Sequence, residues 1–155
     1  LDIRALPFKI DNLNFIQTDA TNLKEIKDNS IESLSSLHAL EHFGLGRYGD
    51  PIDPSSCFKA MKSMQRVLAD NGIIYLSTPI SNKDEIWFNS LRKFSPKTII
   101  DQFNELELLE FSVIHNFNLY TYTGDNLIAK IKNNEIPIDS TDCGMFVFRK
   151  PLKKD

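Results

Sequence analysis

Polar and charged side chains are concentrated between residues 41 and 54, in the segment EHFGLGRYGDPIDP. This segment, here named the polar loop, holds carboxylates, a histidine, an arginine and a tyrosine beside three glycines and two prolines. Glycine and proline at this density exclude a regular helix or strand and favour a loop of fixed shape. The other residue types transfer protons and bind anions. The composition therefore indicates a binding or catalytic segment.

Individual side chains of the polar loop and of the residues before it suggest specific roles. His42 is the first candidate for a general base, because imidazole titrates near neutral pH, and Asp50 and His38 are the second candidates. Arg47 suits bidentate binding of a phosphate or carboxylate on a substrate. The competing interpretation of Arg47 is an ion pair with Asp50 or Asp53 that holds the loop in shape, and both interpretations remain open.

The residues from His38 to His42 read HALEH, which is the pattern of the inverted zinc proteases. That function requires a helix that directs both histidines at one metal ion, with a third ligand further along the chain. Gly44 and Gly46 would end such a helix after about one turn. We therefore expect no metal site, and a zinc hydrolase using His38 and His42 is the remote alternative.

The apolar pattern predicts the elements that position these residues. Strands are predicted at residues 15–19, 31–37, 73–78, 106–115 and 144–148. Helices are predicted at residues 55–69, 96–103 and 126–132, with a single helical turn at 23–27 and irregular structure in the rest of 116–142. Alternating strands and helices predict an α/β fold with a mostly parallel sheet and an antiparallel hairpin at one edge. The polar loop follows strand 31–37, and open α/β sheets bind ligands beyond the carboxyl ends of their strands.

Composition limits the classes of protein to which the chain can belong. With 155 residues and 41% hydrophobic residues, it is expected to form a single soluble domain. Its net charge is −3 and its basic residues are scattered, which argues against nucleic acid as a partner. No apolar run approaches the roughly 18 residues that a membrane span needs. Cys57 and Cys143 lack metal-ligand spacing, so we expect buried, reduced thiols in a cytoplasmic protein.

The order of elements and the motifs together resemble the class I S-adenosylmethionine-dependent methyltransferases. Residues 41–54 closely match the signature of the methyltransferase-like family named domain of unknown function 268. The segment FNSLR at residues 88–92 and the closing segment at 143–151 are also similar to that family. The resemblance extends from about residue 2 to residue 151 and implies a Rossmann-like sheet whose last strand is inserted antiparallel.

The same resemblance implies a set of binding residues. S-adenosylmethionine would be held by Asp2, Ile3, Asp19, Ala20, Leu37 and His38, with Asp2 on the ribose and Asp19 on the adenine. The methyl acceptor would be held by Glu41, Arg47, Tyr48, Asn89 and Arg92. The implied reaction is methyl transfer to oxygen or nitrogen of a small polar metabolite, such as a sugar or a nucleotide-sugar.

The resemblance also implies a first strand, a first helix and a glycine-rich turn that holds the methionine part of the cofactor. None of these segments is recognisable in the sequence, and we expect them to lie upstream of Leu1. In the family the first strand lies at the centre of the sheet, so its absence would leave backbone groups without hydrogen-bond partners. The alternative is a methyltransferase-like module that binds without catalysing.

Overall fold

A computed structural model describes residues 1–87 and 89–152 of the protein, so Phe88 of the FNSLR segment and residues 153–155 lie outside the described residues. The strands are β1 (Ile31–Leu37), β2 (Leu68–Pro79), β3 (Glu85–Trp87), β4 (Leu91–Lys93), β5 (Glu107–His115), β6 (Asn118–Thr123) and β7 (Cys143–Arg149). The helices are α1 (Ser56–Val67), α2 (Pro96–Gln102) and α3 (Leu127–Lys132), with a 3₁₀ turn at Leu40–His42.

Five strands form one sheet in the order β1-β2-β7-β5-β6, and β3 pairs with β4 in a separate hairpin. Strands β1 and β2 are parallel, whereas β7 is antiparallel to both β2 and β5. The predicted α/β class and the antiparallel insertion of the last strand are confirmed. The predicted mostly parallel pairing is corrected to a mixed sheet, because β7 separates β2 from β5 and β6 adds a further antiparallel pair.

The core lies between the sheet and the helices. Helix α1 buries Cys57, Met61, Met64 and Val67, which recur at intervals of three or four residues on one face. This face packs against the apolar side chains of β2 and β7 in one continuous cluster. The helix therefore holds the polar loop, which immediately precedes it, against the carboxyl ends of the strands.

The ends of several elements agree with the sequence predictions, and others do not. Strand β1 has the predicted bounds, and Ser95 caps α2 as expected by accepting a hydrogen bond from the Thr98 backbone N–H. Strand β2 starts at Leu68, directly after α1, so the helix predicted to end at residue 69 is shorter and the strand predicted to start at residue 73 is longer than expected. Residues 23–27 form a turn rather than a helical turn.

Two strand predictions need correction. Residues 15–19 do not form a strand, and only Gln17 pairs, in a single parallel bridge with Asp2. Residues 118–123, predicted to be irregular, form the edge strand β6. Among the described residues no helix combines the length and the apolar character that a membrane crossing requires.

Candidate functional site

A cavity of about 410 Å³ opens beyond the carboxyl end of β1. Three stretches of chain line it: the first four residues, residues 18–21, and residues between 38 and 59 that include part of the polar loop. The sequence-predicted residues on its wall are Asp2, Ile3, Asp19, Ala20, His38, His42, Tyr48 and Asp50. The structure thus brings together most of the proposed cofactor-binding residues and all three candidate bases, whose roles stay predictions.

Asp2 and Asp19 lie on the same side of the cavity because their backbones are joined. Asp2 forms a parallel bridge with Gln17, and the Thr18 N–H donates to the Asp2 carbonyl oxygen at 3.1 Å. Asp19 follows directly and accepts a hydrogen bond from the Thr21 N–H on Oδ1 at 2.8 Å. Two residues with carboxylate side chains therefore line the same cavity from adjacent segments of the chain.

The Asp2 carboxylate is engaged by Arg4. Its Oδ1 accepts from Arg4 Nε at 3.0 Å and its Oδ2 from Arg4 Nη2 at 2.8 Å. These bonds, with a further one from the Arg4 backbone, lower the pKa of Asp2 to about 2. The same guanidinium lies 4.9 Å from the centre of the Tyr48 ring. Any ligand that uses Asp2 as an acceptor must compete with Arg4.

His42 is held in one orientation by the turn between β3 and β4. Its Nδ1 lies 2.7 Å from the Ser90 carbonyl oxygen, and since a carbonyl only accepts, Nδ1 carries the proton. The Nε2 atom of the neutral ring is therefore the basic one. It lies 3.8 Å from Glu41 Oε1, and the Tyr48 ring meets the imidazole edge-on, with 5.6 Å between the two ring centres.

Glu41 is 1% exposed, and its carboxylate contacts both His38 and His42. Its Oε1 lies 3.2 Å from His38 Nδ1, which donates to it. His38 has a φ of +50°, a left-handed conformation that costs a residue with a β-carbon roughly 1–2 kcal/mol. Backbone strain of this kind is concentrated at functional sites, which is consistent with a role for His38.

Asp50 shapes the polar loop. Its Oδ2 accepts from the Gly44 N–H at 2.7 Å and its Oδ1 from the Tyr48 N–H at 3.2 Å. Burial raises the pKa of Asp50, but the backbone donors from Tyr48, Gly44 and Gly46 outweigh it and hold the pKa below its usual value of 3.8. A carboxylate committed to backbone groups in this way suits a structural role better than that of a base.

The two arginines predicted to bind substrate differ in their surroundings. Arg47 donates to the Ser90 carbonyl at 3.3 Å instead of pairing with Asp50 or Asp53, and Asp53 pairs with Lys59 at 2.7 Å. The loop-holding ion pair of Arg47 is therefore not formed. Arg92 is buried, and its guanidinium donates to the carbonyls of Phe43 and Pro54, across the polar loop.

Within the part of the chain that the structure describes, five predicted site residues do not line the cavity: Leu37, Glu41, Arg47, Asn89 and Arg92. Leu37 is 64% exposed at the end of β1, and Asn89 occupies a turn with a φ of +53°. Their proposed contacts with cofactor or substrate stay predictions. The position of Arg92 favours holding the loop.

The zinc interpretation needs His38 and His42 to face one metal ion. His42 Nδ1 instead meets the Ser90 carbonyl, and His38 Nδ1 meets Glu41. Within residues 1–87 and 89–152, no group of three or more histidine, cysteine or acidic side chains is arranged to bind a metal ion. The geometry therefore offers this interpretation no support.

Sequence reasoning missed two contributors to the site and misjudged one cysteine. Arg4 and Ser90 gain their importance from contacts across the fold, and only the D-x-R spacing of Asp2 and Arg4 could have signalled the first. Cys57 is fully buried as predicted. The prediction that Cys143 is a buried hydrophobic side chain is wrong, because it is half-buried and its sulfur lies 3.2 Å from His38 Nε2.

A family model described as "Caenorhabditis protein of unknown function, DUF268" matches residues 8–136. This match spans the polar loop, β1 to β6 and all three helices. The chain belongs to the DUF268 family. A search of curated proteins finds no match to this DUF268 chain.

Solved structures similar to the DUF268 protein have the class I methyltransferase fold. The [4+2]-cyclase SpnF aligns over 90% of this chain and 57% of its own, with 14% identity and a TM-score of 0.59. The N-methyltransferase NodS from Bradyrhizobium japonicum aligns over 88% of this chain and 59% of its own, with 14% identity and a TM-score of 0.54. A SAM-dependent methyltransferase from Methanosarcina mazei aligns over 88% and 66%, with 13% identity and a TM-score of 0.55.

This chain therefore spans 57–66% of the length of these three structures. At such low identity the similarity establishes the fold of the DUF268 protein. SpnF is described as a cyclase and NodS as a methyltransferase, so this fold serves more than one reaction. The function must be argued from the site itself.

Proposed function

We propose that this DUF268 protein catalyses S-adenosylmethionine-dependent methyl transfer to an oxygen or nitrogen of a small polar metabolite. The observation that carries the proposal is that Asp2, Asp19 and His42 line the same cavity. A volume of about 410 Å³ falls within the usual range of small-molecule sites. The class I methyltransferase fold supports the same proposal.

The hydrogen-bond acceptors of the cavity suit the adenosyl part of the cofactor. The Asp2 carboxylate is a bidentate acceptor suited to two neighbouring ribose hydroxyls, and Asp19 suits the adenine amine. Ala20 presents a small side chain next to Asp19, which leaves room for a flat ring. NodS has been crystallised with S-adenosyl-l-homocysteine, which supports a cofactor of this class in the fold. How the methionine part is held stays a prediction.

The cofactor supplies an electrophilic methyl group on a sulfonium, whose departure needs no protonation. The protein must then orient the acceptor and remove its proton. His42 is suited to the second task, because the Ser90 carbonyl leaves Nε2 as the basic nitrogen. Glu41, whose Oε1 lies 3.8 Å from this nitrogen, would stabilise the imidazolium that forms.

The acceptor class follows from the side chains next to His42. The Tyr48 ring is flanked by Arg4 at 4.9 Å and Arg47 at 5.7 Å. An aromatic face with two guanidinium groups suits a polar or anionic ring compound, and a sugar or nucleotide-sugar has this character. We further propose that the protein is a single domain that acts in the cytoplasm and has neither nucleic acid nor membrane as a partner.

Transfer of a labelled methyl group tests the proposal. The protein is incubated with methyl-labelled cofactor and a panel of sugars and nucleotide-sugars. We expect label in a polar product, and we expect His42→Ala to abolish turnover while cofactor binding persists, with His115→Ala as a control histidine away from the cavity. Full activity of His42→Ala would remove the base assignment.

A non-catalytic binding module is the second candidate, and one observation favours it. The Asp2 carboxylate already has a full set of partners from Arg4, at 2.8–3.0 Å. If Arg4 is not displaced, the ribose site stays closed and no cofactor binds. A melting temperature that does not change in saturating cofactor would favour this candidate.

A further inference from the structure

A second cluster of reactive side chains extends from His38, on the wall of the cavity, to Cys143 and Glu41, which do not line it. Cys143 begins β7, and its sulfur lies 3.2 Å from Nε2 of His38. The other ring nitrogen of His38 donates to Glu41 Oε1 at 3.2 Å. With Nδ1 protonated, Nε2 carries the lone pair and accepts from the thiol. The three side chains thus form a thiol, imidazole and buried carboxylate in series.

An independent feature of the structure marks the same place as a ligand site. Among the described residues, only Glu41 Oε2 and Thr78 Oγ1 are buried side-chain polar atoms without a hydrogen-bond partner. Thr78 pairs with Gly144, the residue after Cys143, in the β2–β7 ladder. Glu41 lies close enough for its charge to act on the same thiol. Buried polar atoms without partners call for a small polar ligand or product.

The thiol needs help to react. Burial, followed by the charge of Glu41, raises the pKa of the Cys143 thiol above its usual value of 9.0. Since the thiolate is the nucleophile, the proton must leave during attack. His38 Nε2 is the base within reach, and the Glu41 carboxylate stabilises the imidazolium that results.

We propose that Cys143 is an oxidation site for small hydroperoxides, with His38 as its proton acceptor and donor. The Cys143 sulfur attacks the distal oxygen of the peroxide while its proton moves to His38 Nε2. The sulfur–oxygen bond forms as the oxygen–oxygen bond breaks, and the departing oxygen takes the proton back from His38. Sulfur loses two electrons to become sulfenic acid, and the peroxide is reduced to an alcohol, or to water when it is hydrogen peroxide.

The product has hydrogen-bonding groups of the kinds that the two unpartnered atoms lack. A sulfenic acid carries one O–H donor and acceptor oxygen, which complement the Glu41 carboxylate and the Thr78 hydroxyl. A thiol reductant would restore the cysteine. The site does not depend on methyl transfer, so it stands or falls separately from the proposed function.

Trapping with dimedone after hydrogen peroxide treatment, read by mass spectrometry of the two cysteine peptides, tests this site. His38 has a φ of +50°, so His38→Gly and His38→Asn remove the imidazole where the backbone tolerates both residues. We expect the adduct at Cys143 and not at the fully buried Cys57. We also expect the rate of adduct formation at Cys143 to fall at least about tenfold in both variants, because general base catalysis accelerates a reaction by that much or more.

Two controls separate proton transfer from structural damage. Added imidazole should restore the rate in His38→Gly, whereas His115→Asn, which alters a histidine paired with Asp142, should leave it unchanged. The proposal is overturned if Cys143 stays reduced or reacts equally fast without His38. A lower rate that imidazole does not restore overturns it as well, since His38 would then act only through structure.

Discussion

At the scale of single residues, the cavity depends on side chains whose chemistry is set by one or two contacts. The Ser90 carbonyl fixes the tautomer of His42, and Arg4 occupies the carboxylate of Asp2. The contact of His42 is not visible in the sequence, because His42 and Ser90 lie 48 residues apart, whereas the D-x-R spacing could have signalled the contact of Arg4 with Asp2. Each contact gives a prediction that can be tested without knowledge of the methyl acceptor.

The tautomer of His42 is directly measurable. Because Nδ1 donates to the Ser90 carbonyl at 2.7 Å, we expect long-range proton–nitrogen NMR to find Nδ1 protonated and Nε2 unprotonated in the neutral ring. His115, whose Nδ1 lies 2.8 Å from Asp142 Oδ2, serves as a reference with the same tautomer. A neutral His42 protonated on Nε2 would contradict its assignment as the base.

Removal of Arg4 should strengthen cofactor binding. The Arg4–Asp2 pair competes with the ribose for the same carboxylate, and an exposed pair of this kind is worth about 0.2–1 kcal/mol. We therefore expect Arg4→Ala to raise the affinity for S-adenosylhomocysteine by up to about fivefold in a calorimetric titration. Arg149→Ala, which removes an arginine from another exposed ion pair, with Glu107, away from the cavity, is the control. Weaker binding by Arg4→Ala would mean that Arg4 contacts the ligand itself.

At the scale of elements, the polar loop is fixed from inside and outside. The Asp50 carboxylate accepts hydrogen bonds from the N–H groups of Gly44, Gly46 and Tyr48. The Arg92 guanidinium, on β4, donates hydrogen bonds to the carbonyls of Phe43 and Pro54 in the same loop. The glycines permit this path, since Gly44, Gly46 and Gly49 all have positive φ. The loop is therefore a rigid wall of the cavity, and its backbone can be tested by substitution.

Gly44 and Gly49 offer a matched pair of substitutions in the loop. A β-carbon on Gly44 would lie 2.0 Å from the Asp53 carbonyl oxygen, whereas none of the surrounding atoms lies within 4 Å of one on Gly49. Both positions have positive φ, which costs alanine roughly 1–2 kcal/mol. We expect Gly44→Ala to lower the free energy of unfolding well beyond Gly49→Ala in denaturant titrations. Equal losses would mean that the loop does not pass this close to residue 53.

The lowered pKa of Asp50 predicts that the free energy of unfolding depends on pH. Its pKa lies below the usual 3.8 in the folded protein, so its stabilisation is complete above that value and is lost as the pH falls through the folded pKa. We expect Asp50→Asn to lower the unfolding free energy by about 1.5–3 kcal/mol at neutral pH, the worth of hydrogen bonds to a charged group. The difference from the wild type should shrink toward pH 3. A difference independent of pH would show that the charge is not involved.

The sequence predicted elements with strong periodicity and failed where tertiary contacts decide. Helix α1 was recoverable because its apolar side chains recur at intervals of three and four residues. Strand β6 was missed because most of its side chains are exposed at the sheet edge and show little alternation. In the site, the sequence indicated His42 and Tyr48, but the commitment of Asp50 and Arg92 to backbone groups required coordinates.

At the scale of the whole molecule, the chain has the class I methyltransferase fold and spans 57–66% of three solved structures that share it. The strand order β1-β2-β7-β5 places β7 antiparallel between two strands that run in the same direction. The bridge between Asp2 and Gln17 joins the two segments that bring Asp2 and Asp19 to the cavity. The fold thus assembles the site from segments distant in sequence.

The central claim is that the adenosyl group binds in the cavity between Asp2 and Asp19. Calorimetric titration with S-adenosylhomocysteine tests it most directly, on the protein and on its Asp2→Asn and Asp19→Asn variants. Asp101→Asn, on helix α2, is the matched control. We expect one saturable site, weakened about tenfold by each variant through the loss of a charged hydrogen-bond acceptor and unchanged in the control. Absence of binding, or binding that neither variant weakens, would contradict the account.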